Sequence, residues 1–145
     1  MAHSEARESA RDRENDPTSV RTLPALDAKL IQVDVSTACE QLRQEERWRT
    51  TGRNAMTVVK YSRLRVVLEI MRPGAQMEDA HPATSGDVVI QVLSGHLQLD
   101  VDGQTLDVDA GRLVALDGRV PSVVRALDES AFLIWVSWSE SEVAG

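Results

Sequence analysis

The segment from Asp87 to Trp138 repeats one unit, in which a short alternating apolar strand is followed by a tight turn. The turns are Ser94-Gly95, Asp102-Gly103, Asp109-Ala110-Gly111, Asp117-Gly118 and Asp128-Glu129-Ser130. Turns that recur about every eight to ten residues are typical of a small antiparallel sandwich or barrel. We therefore predict an all-β fold in which the residues that face inward decide the function.

Length, charge and cysteine content narrow the class of protein. The chain has 145 residues, the size of one domain. Its net charge of −7, with no basic stripe, argues against nucleic acid as a partner. The single cysteine, Cys39, excludes an internal disulfide and fits a reducing compartment. Because no apolar run is long enough to span a membrane and no signal peptide is visible, we predict a cytoplasmic protein with no membrane partner.

The first part of the chain predicts a tail followed by one domain. Residues 1–20 are rich in charged residues and serine and poor in large apolar residues, so we expect a disordered tail. We assign residues 21–145 to a single β-barrel domain. Within it, Lys29–Val35 alternates like a strand, Ser36 and Thr37 after it are good helix N-caps, and Thr37 with Glu40 has the spacing of a capping box. This spacing predicts a short helix near residues 37–48.

Two further strands are predicted upstream of the repeated unit, at Ala55–Lys60 and Leu64–Met71. In the second, apolar residues alternate with Arg65 and Glu69, which therefore share the opposite face. Arg65 with Glu69, or Arg112 with Arg125, could reach a pocket, but the sequence does not give the register between strands.

Several anchors from position 74 onward carry a family resemblance. Gly74 fits the glycine that opens a first motif, and Val92-Leu93-Ser94-Gly95 fits the hairpin that closes it. Gly111 opens a second motif, and Val120-Pro121 fits the dipeptide near its end. In this order and separation they make the chain resemble the small single-domain cupins. The resemblance implies a double-stranded β-helix, or jelly-roll barrel, with a short N-terminal helix.

The same resemblance locates the positions at which metal-binding cupins hold a divalent transition metal with three histidines and a glutamate. Those positions fall on His81, Ala83, Val88 and Ser122. Only His81 matches, and a single imidazole cannot retain a metal ion that needs several converging donors. We therefore predict no metal and no cofactor. The alternative is an altered ligand set in which Gln76, Glu78 or Asp79 joins His81 at the barrel mouth.

Strand alternation predicts a largely aliphatic barrel interior. The predicted interior residues are Leu68, Ile70, Val88, Ile90, Val92, Leu97, Leu99, Leu113, Val124 and Phe132. The candidate ligand-binding residues at the mouth and in the interior are Gln76, Glu78, His81, Val88, Ile90 and Ser122. Such an interior either holds a small molecule or is filled by its own side chains.

The last strand, Ala131–Trp138, is apolar on both faces, with Phe132 and Ile134 on one side and Leu133 and Trp135 on the other. A strand buried on two sides in a one-domain protein predicts a subunit interface. The resemblance implies the same, because small cupins commonly pair through their sheets. We expect a homodimer.

The function predicted first is that of a non-metal cupin, which binds a small molecule in the barrel or serves as a dimeric accessory or sensor module. Two alternatives stay open: a metal-dependent dioxygenase or isomerase built around His81, and a purely structural dimeric scaffold. No catalytic residue is identified, and whether the protein is an enzyme is undecided. Cys39 lies early in the predicted helix, where a thiol is either activated or simply buried.

Overall fold

The computed structural model describes residues 25–78 and 86–137. In these ranges two short helices precede nine strands. The elements are α1 (Val35–Arg43), α2 (Glu46–Thr51), β1 (Arg53–Lys60), β2 (Leu64–Met71), β3 (Gln76–Glu78), β4 (Asp87–Ser94), β5 (His96–Val101), β6 (Gln104–Asp109), β7 (Leu113–Asp117), β8 (Ser122–Ala126) and β9 (Ser130–Ser137). The predicted all-β fold with a short helical segment before it is confirmed. The predicted tail lies outside the described residues.

The strands form two antiparallel sheets. The five-stranded sheet has the order β1-β2-β9-β4-β7, and the four-stranded sheet has the order β3-β8-β5-β6. The last strand lies at the centre of the larger sheet, between β2 and β4. Since strands distant in sequence are neighbours, the two sheets form a sandwich of the jelly-roll type.

The first hydrophobic core fills the space between the two sheets. The predicted interior residues that belong to it are Val88, Ile90, Val92, Leu97, Leu99, Val124 and Phe132. Each is at most 1% exposed. These predictions are confirmed because buried and less buried residues alternate along β4, β5 and β8, and because Phe132 pairs with the inward-facing Val92.

A second core lies on the other face of the five-stranded sheet, against the helices. Leu68 and Ile70 belong to this core together with Leu42, Cys39 and Trp48. The prediction that Leu68 and Ile70 face the barrel interior is therefore wrong. Both faces of β2 are covered, so its alternation separates two faces without telling which one is inside.

The prediction that Leu113 faces the barrel interior is also wrong, because its side chain is 60% exposed. It pairs with Gln91, whereas Val114 pairs with the buried Ile90. The edge strand β7 thus turns Val114 inward and Leu113 outward, one residue out of step with the prediction.

The helical segment also differs from the prediction. Residues 31–34 belong to no strand, and the single helix expected near 37–48 is divided into α1 and α2. Asp34, rather than Ser36 or Thr37, is the N-cap, since its Oδ1 accepts a 3.2 Å hydrogen bond from the backbone N–H of Thr37. No helix in the described part of the chain is long and apolar enough to cross a membrane.

Candidate functional site

The middle of the barrel is closed by its own side chains. Val88 and Ile90, two of the predicted ligand-binding residues, are fully buried in the first core. Ser122 is 3% exposed and lies on the same inner face as Val124. An apolar interior packed at this level holds no polar ligand, so the site has to be sought where the inner surface opens.

The inner surface opens beside the edge strand β1, where two charged side chains point between the sheets. Glu69 pairs with Phe132, and Phe132 pairs with Val92, so the three lie on one face of the sheet. Ala55 is the partner of Glu69 on β1. By the same alternation, Arg53 and Ala55 present their side chains to the inner face of the edge strand.

Arg53 ties the Glu69 carboxylate to the opposite sheet. Its Nε donates to Oε2 of Glu69 at 3.2 Å, and its Nη1 donates to the carbonyl of Gln76 on β3 at 3.1 Å. The Glu69 side chain is 5% exposed and that of Arg53 is 37% exposed. The pair therefore joins a buried carboxyl to a cation that reaches solvent.

Burial dominates the acid–base behaviour of Glu69. Loss of hydration raises the pKa of Glu69 to about 7, and the charges of Arg53 and Arg47 oppose that rise only in part. A carboxyl group in this range changes its protonation near neutral pH. Groups of this kind occur at functional sites and in structural ion pairs alike, so the cavity beside it decides the interpretation.

A cleft of about 270 Å³ adjoins this pair. Its lining residues are Arg47, Thr51, Arg53, Asn54, Ala55 and Glu69. We call it the edge cleft. Asn54 and Thr51 hold its wall together, because the Asn54 amide donates to the Leu42 carbonyl at 3.0 Å and Thr51 Oγ1 donates to the Arg47 carbonyl at 2.7 Å. The wall is built by the turn at which α2 ends and β1 begins.

Solved structures that superpose on this chain identify the fold. A cupin superfamily protein from Desulfitobacterium hafniense superposes with a TM-score of 0.61 over 82% of this chain and 100% of its own, at 14% identity. A conserved protein of unknown function from Streptococcus pyogenes gives 0.59 over 83% and 98%, at 18% identity. This protein has the cupin fold.

A third solved structure that superposes on this chain is the Cupin_2 domain of an XRE-family transcriptional regulator from Enterobacter cloacae. Its TM-score is 0.54 at 19% identity, and the match covers 61% of this chain and 98% of that domain. No protein-family model matches the sequence, and no curated protein matches it. At these identities the cupin structures show the fold and leave the chemistry of this chain to its own residues.

The residues of this protein do not form a metal site in the described part of the chain. Among those residues, no group of three or more His, Cys, Asp and Glu side chains is placed to hold a metal ion. Val88, at the position of the glutamate ligand, presents an aliphatic side chain to the first core. His81 and Asp79 lie outside the described residues. The donors within residues 25–78 and 86–137 therefore do not by themselves fit a transition metal.

The other predicted site residues are divided between two surfaces. Gln76 pairs with Arg125 on the outer face of the four-stranded sheet, and its Oε1 accepts a hydrogen bond from Arg125 Nη2 at 3.1 Å. Glu78 and Ser122 both line a shallow cleft of about 250 Å³ beside the β5–β6 turn. The carboxylates of Asp100 and Asp102 also line it, so this cleft is acidic.

Sequence reasoning missed most of the edge cleft. The signal in the sequence is Glu69 itself, a charged residue that shares one face of an aliphatic strand with Arg65. The sequence does not predict Arg53 and Arg47 as site residues. They lie near Glu69 only because β1 pairs with β2 and because α2 ends beside the start of β1. Arg125 is bonded to Gln98 and Gln76 on the outer sheet face and does not reach the cleft. Cys39 is buried, and burial raises the pKa of its thiol, which opposes activation.

The outer face of the five-stranded sheet carries an apolar surface that the helices leave uncovered. Cross-strand pairing places five apolar residues, Val89, Leu113, Ala115, Leu133 and Trp135, on this face, with the polar Gln91 between them accepting a 3.3 Å hydrogen bond from Trp135 Nε1. We call these five residues the outer patch; within it Trp135 is 37% exposed. A groove of about 360 Å³ continues from Leu133 and Trp135 toward Ile31, Val33 and Tyr61.

Proposed function

We propose that this cupin-fold protein binds a small molecule in the edge cleft without a metal ion. The observation that carries the proposal is the Arg53–Glu69 pair, a buried carboxyl and a solvent-reaching guanidinium on the inner wall of an open cleft. Small-molecule sites combine a shaped cavity with a few oriented polar groups, which is what this wall provides. The proposed binding site therefore lies at the open edge of the barrel, whereas the sequence predicted one at its mouth and in its interior.

The other concave surfaces support this function less well. The interior around Val88 and Ile90 is fully packed, so a ligand there would have to displace core side chains. The cleft beside Glu78 and Ser122 is lined by three carboxylate residues with no basic partner among its lining. It offers little to hold a ligand in one orientation.

A sensor or accessory role fits binding without catalysis. The Cupin_2 domain from Enterobacter cloacae belongs to a transcriptional regulator, so a cupin barrel is there one module of a regulatory protein. We propose the analogous role for this chain, as a module that reports the presence of a small molecule. The alternative, a metal-dependent enzyme at His81, predicts bound transition metal in purified protein that a His81→Ala variant loses.

We also propose that two copies pair through the outer patch. The patch consists of apolar side chains, so two chains of net charge −7 can meet there without placing like charges against each other. Self-association would cover Trp135 and Leu113, which are exposed in the single chain.

A thermal-shift screen with small organic anions, cations and neutral molecules tests the binding proposal. A ligand of the folded state raises the Tm, and an Arg53→Ala variant should lose that rise because the cleft loses its central donor. Arg49→Ala is the matched control, since Arg49 belongs to the same helix as Arg47 and contacts Glu46 rather than the cleft. A ligand whose stabilisation survives Arg53→Ala would place binding elsewhere and contradict the proposal.

A further inference from the structure

We propose that the edge cleft takes a small organic carboxylate, which replaces Glu69 as the partner of Arg53 while Glu69 takes up a proton. This inference rests on the proposed function and names the class of ligand for that cleft. It follows from the donors that the cleft offers, from its balance of charge and from the burial of its single carboxyl group.

The donors of the cleft are guanidinium N–H groups. Arg53 uses Nε for Glu69 and Nη1 for the Gln76 carbonyl, and its Nη2 has no hydrogen-bond partner among the described residues. The Arg47 guanidinium lines the same cleft and makes no hydrogen bond or ion pair in the described part of the chain. A guanidinium binds the two oxygens of a carboxylate through paired N–H groups, which favours this ligand class.

The polar side chains that remain in the wall are already committed. Thr51 Oγ1 bridges the carbonyls of Arg47 and Arg53 at 2.7 and 2.9 Å. Asn54 Nδ2 donates to Glu45 Oε1 at 2.9 Å and to the Leu42 carbonyl, and Asn54 Oδ1 accepts from the Ala55 N–H. The available groups are therefore cationic, and they select an anion over a neutral ligand.

The charges around Glu69 come from a short list of elements. Arg53 on β1 and Arg47 on α2 are the cations that act on it. Its partner on β9 is the apolar Phe132, and the Gln76 carbonyl of β3 reaches it only through Arg53. Glu45 faces the other side of β1, where Asn54 binds it. When Glu69 is ionised it occupies one of the two cations, and when it is neutral both are free for a ligand.

An incoming carboxylate therefore competes with Glu69 for Arg53. Once Arg53 turns to the ligand, Glu69 keeps its burial but loses its main counter-ion, so its carboxylate becomes unfavourable. A proton from solvent then binds to the Glu69 carboxylate, and the protonated group can donate a hydrogen bond to the bound anion. Binding and proton uptake are thus linked, and the affinity falls as pH rises above neutrality.

Isothermal titration calorimetry with benzoate between pH 6 and 8.5 tests the inference on the full chain. We expect the Kd to rise up to about tenfold per pH unit above pH 7, with about one proton taken up per benzoate bound at pH 8. Glu69→Gln should bind benzoate with a Kd that does not depend on pH, because glutamine cannot titrate. Arg53→Ala should weaken binding at pH 6 at least about tenfold, and Arg49→Ala should leave the Kd unchanged.

Two comparison ligands separate the possible failures. Neutral benzamide, which has the shape of benzoate, should bind far more weakly. Tighter binding of inorganic phosphate than of benzoate at pH 6 would overturn the carboxylate assignment. A pH-independent Kd in the wild-type chain would overturn the proton linkage while leaving the proposed function in place. Absence of benzoate binding at pH 6 would overturn this inference, and a neutral ligand that needs Arg53 in the thermal-shift screen would still support small-molecule binding.

Discussion

At the scale of single residues, the burial of Glu69 makes the stability of the protein depend on pH. The ordinary pKa of a glutamate, 4.5, rises to about 7 in the folded chain, so the folded state binds the extra proton between these values. Its contribution to the free energy of unfolding therefore declines as pH rises through this window, by about 3 kcal/mol at most. Above pH 7 the full cost of a buried charge remains.

Glu69→Gln removes that titration and gives the first prediction. Between pH 5 and pH 8 the wild-type chain should lose stability relative to Glu69→Gln, as measured by urea unfolding. Glu46→Gln is the control, because Glu46 is exposed on α2 and its removal should not alter the pH dependence. If the free energy of unfolding depended on pH in the same way in the wild-type and Glu69→Gln chains, the pKa of Glu69 would not be raised in the folded state.

A second residue-scale prediction concerns Gly95, in the turn between β4 and β5. Its φ is +89°, and a Cβ added there would overlap the Glu129 carbonyl and Ser130. Gly111 has a φ of +90° but open space around it. Gly95→Ala should therefore destabilise the protein by at least about 2 kcal/mol more than Gly111→Ala, because strain and overlap add in the first variant only. Equal losses in thermal unfolding would mean that the contact relaxes freely.

At the scale of elements, the start of α1 gives a prediction that distinguishes two caps. Asp34→Ala should lower the Tm by a few degrees, because the first turn loses the hydrogen bond from the Thr37 N–H. Ser36→Ala changes one of the caps expected from the sequence and should have a smaller effect. A larger fall in Tm from Ser36→Ala than from Asp34→Ala would show that Ser36, as the sequence pattern predicted, is the N-cap of α1.

The elements also show how far the sequence could predict this molecule. Alternation was enough for β1 and β2, and the strands from β4 onward are also separated by turns with a glycine or an acidic residue at the tip. In β2 the same alternation separated Leu68 from Glu69 but could not tell which of them faces the barrel. Apolar residues usually face the space between the sheets and charged residues face solvent. In β2 this order is reversed, because the helices cover Leu68 outside the sheet and Arg53 compensates the charge of Glu69 inside it.

The edge cleft itself was beyond sequence reasoning for a related reason. Its walls come from α2, β1 and β2, and the register of Arg53 opposite Met71 is set by pairing across the sheet. The positions of the cupin metal ligands led instead to Val88 and Ser122, which the structure places on the packed inner face. A pattern along the chain locates anchors of a fold, whereas a site depends on contacts between elements.

At the scale of the whole molecule, the outer patch predicts the state of association. Trp135→Glu should convert a dimer to a monomer in sedimentation equilibrium, because a charge at the centre of an apolar contact is costly to bury. Leu127→Glu is the matched control, since Leu127 has a similar exposure of 39% and lies outside the patch. A wild-type chain that sediments as a monomer, or a dimer that survives Trp135→Glu, would contradict pairing through this face.

We propose that a small molecule binds at the open edge of the barrel and not in its middle. NMR titration of isotope-labelled protein with benzoate at pH 6 tests the claim most directly, because it locates the ligand residue by residue. We expect the largest chemical-shift changes at Arg47, Arg53, Ala55 and Glu69. These changes should be lost in Arg53→Ala. Shifts centred on Val88, Ile90 and Ser122 instead would place the ligand inside the barrel and contradict the account.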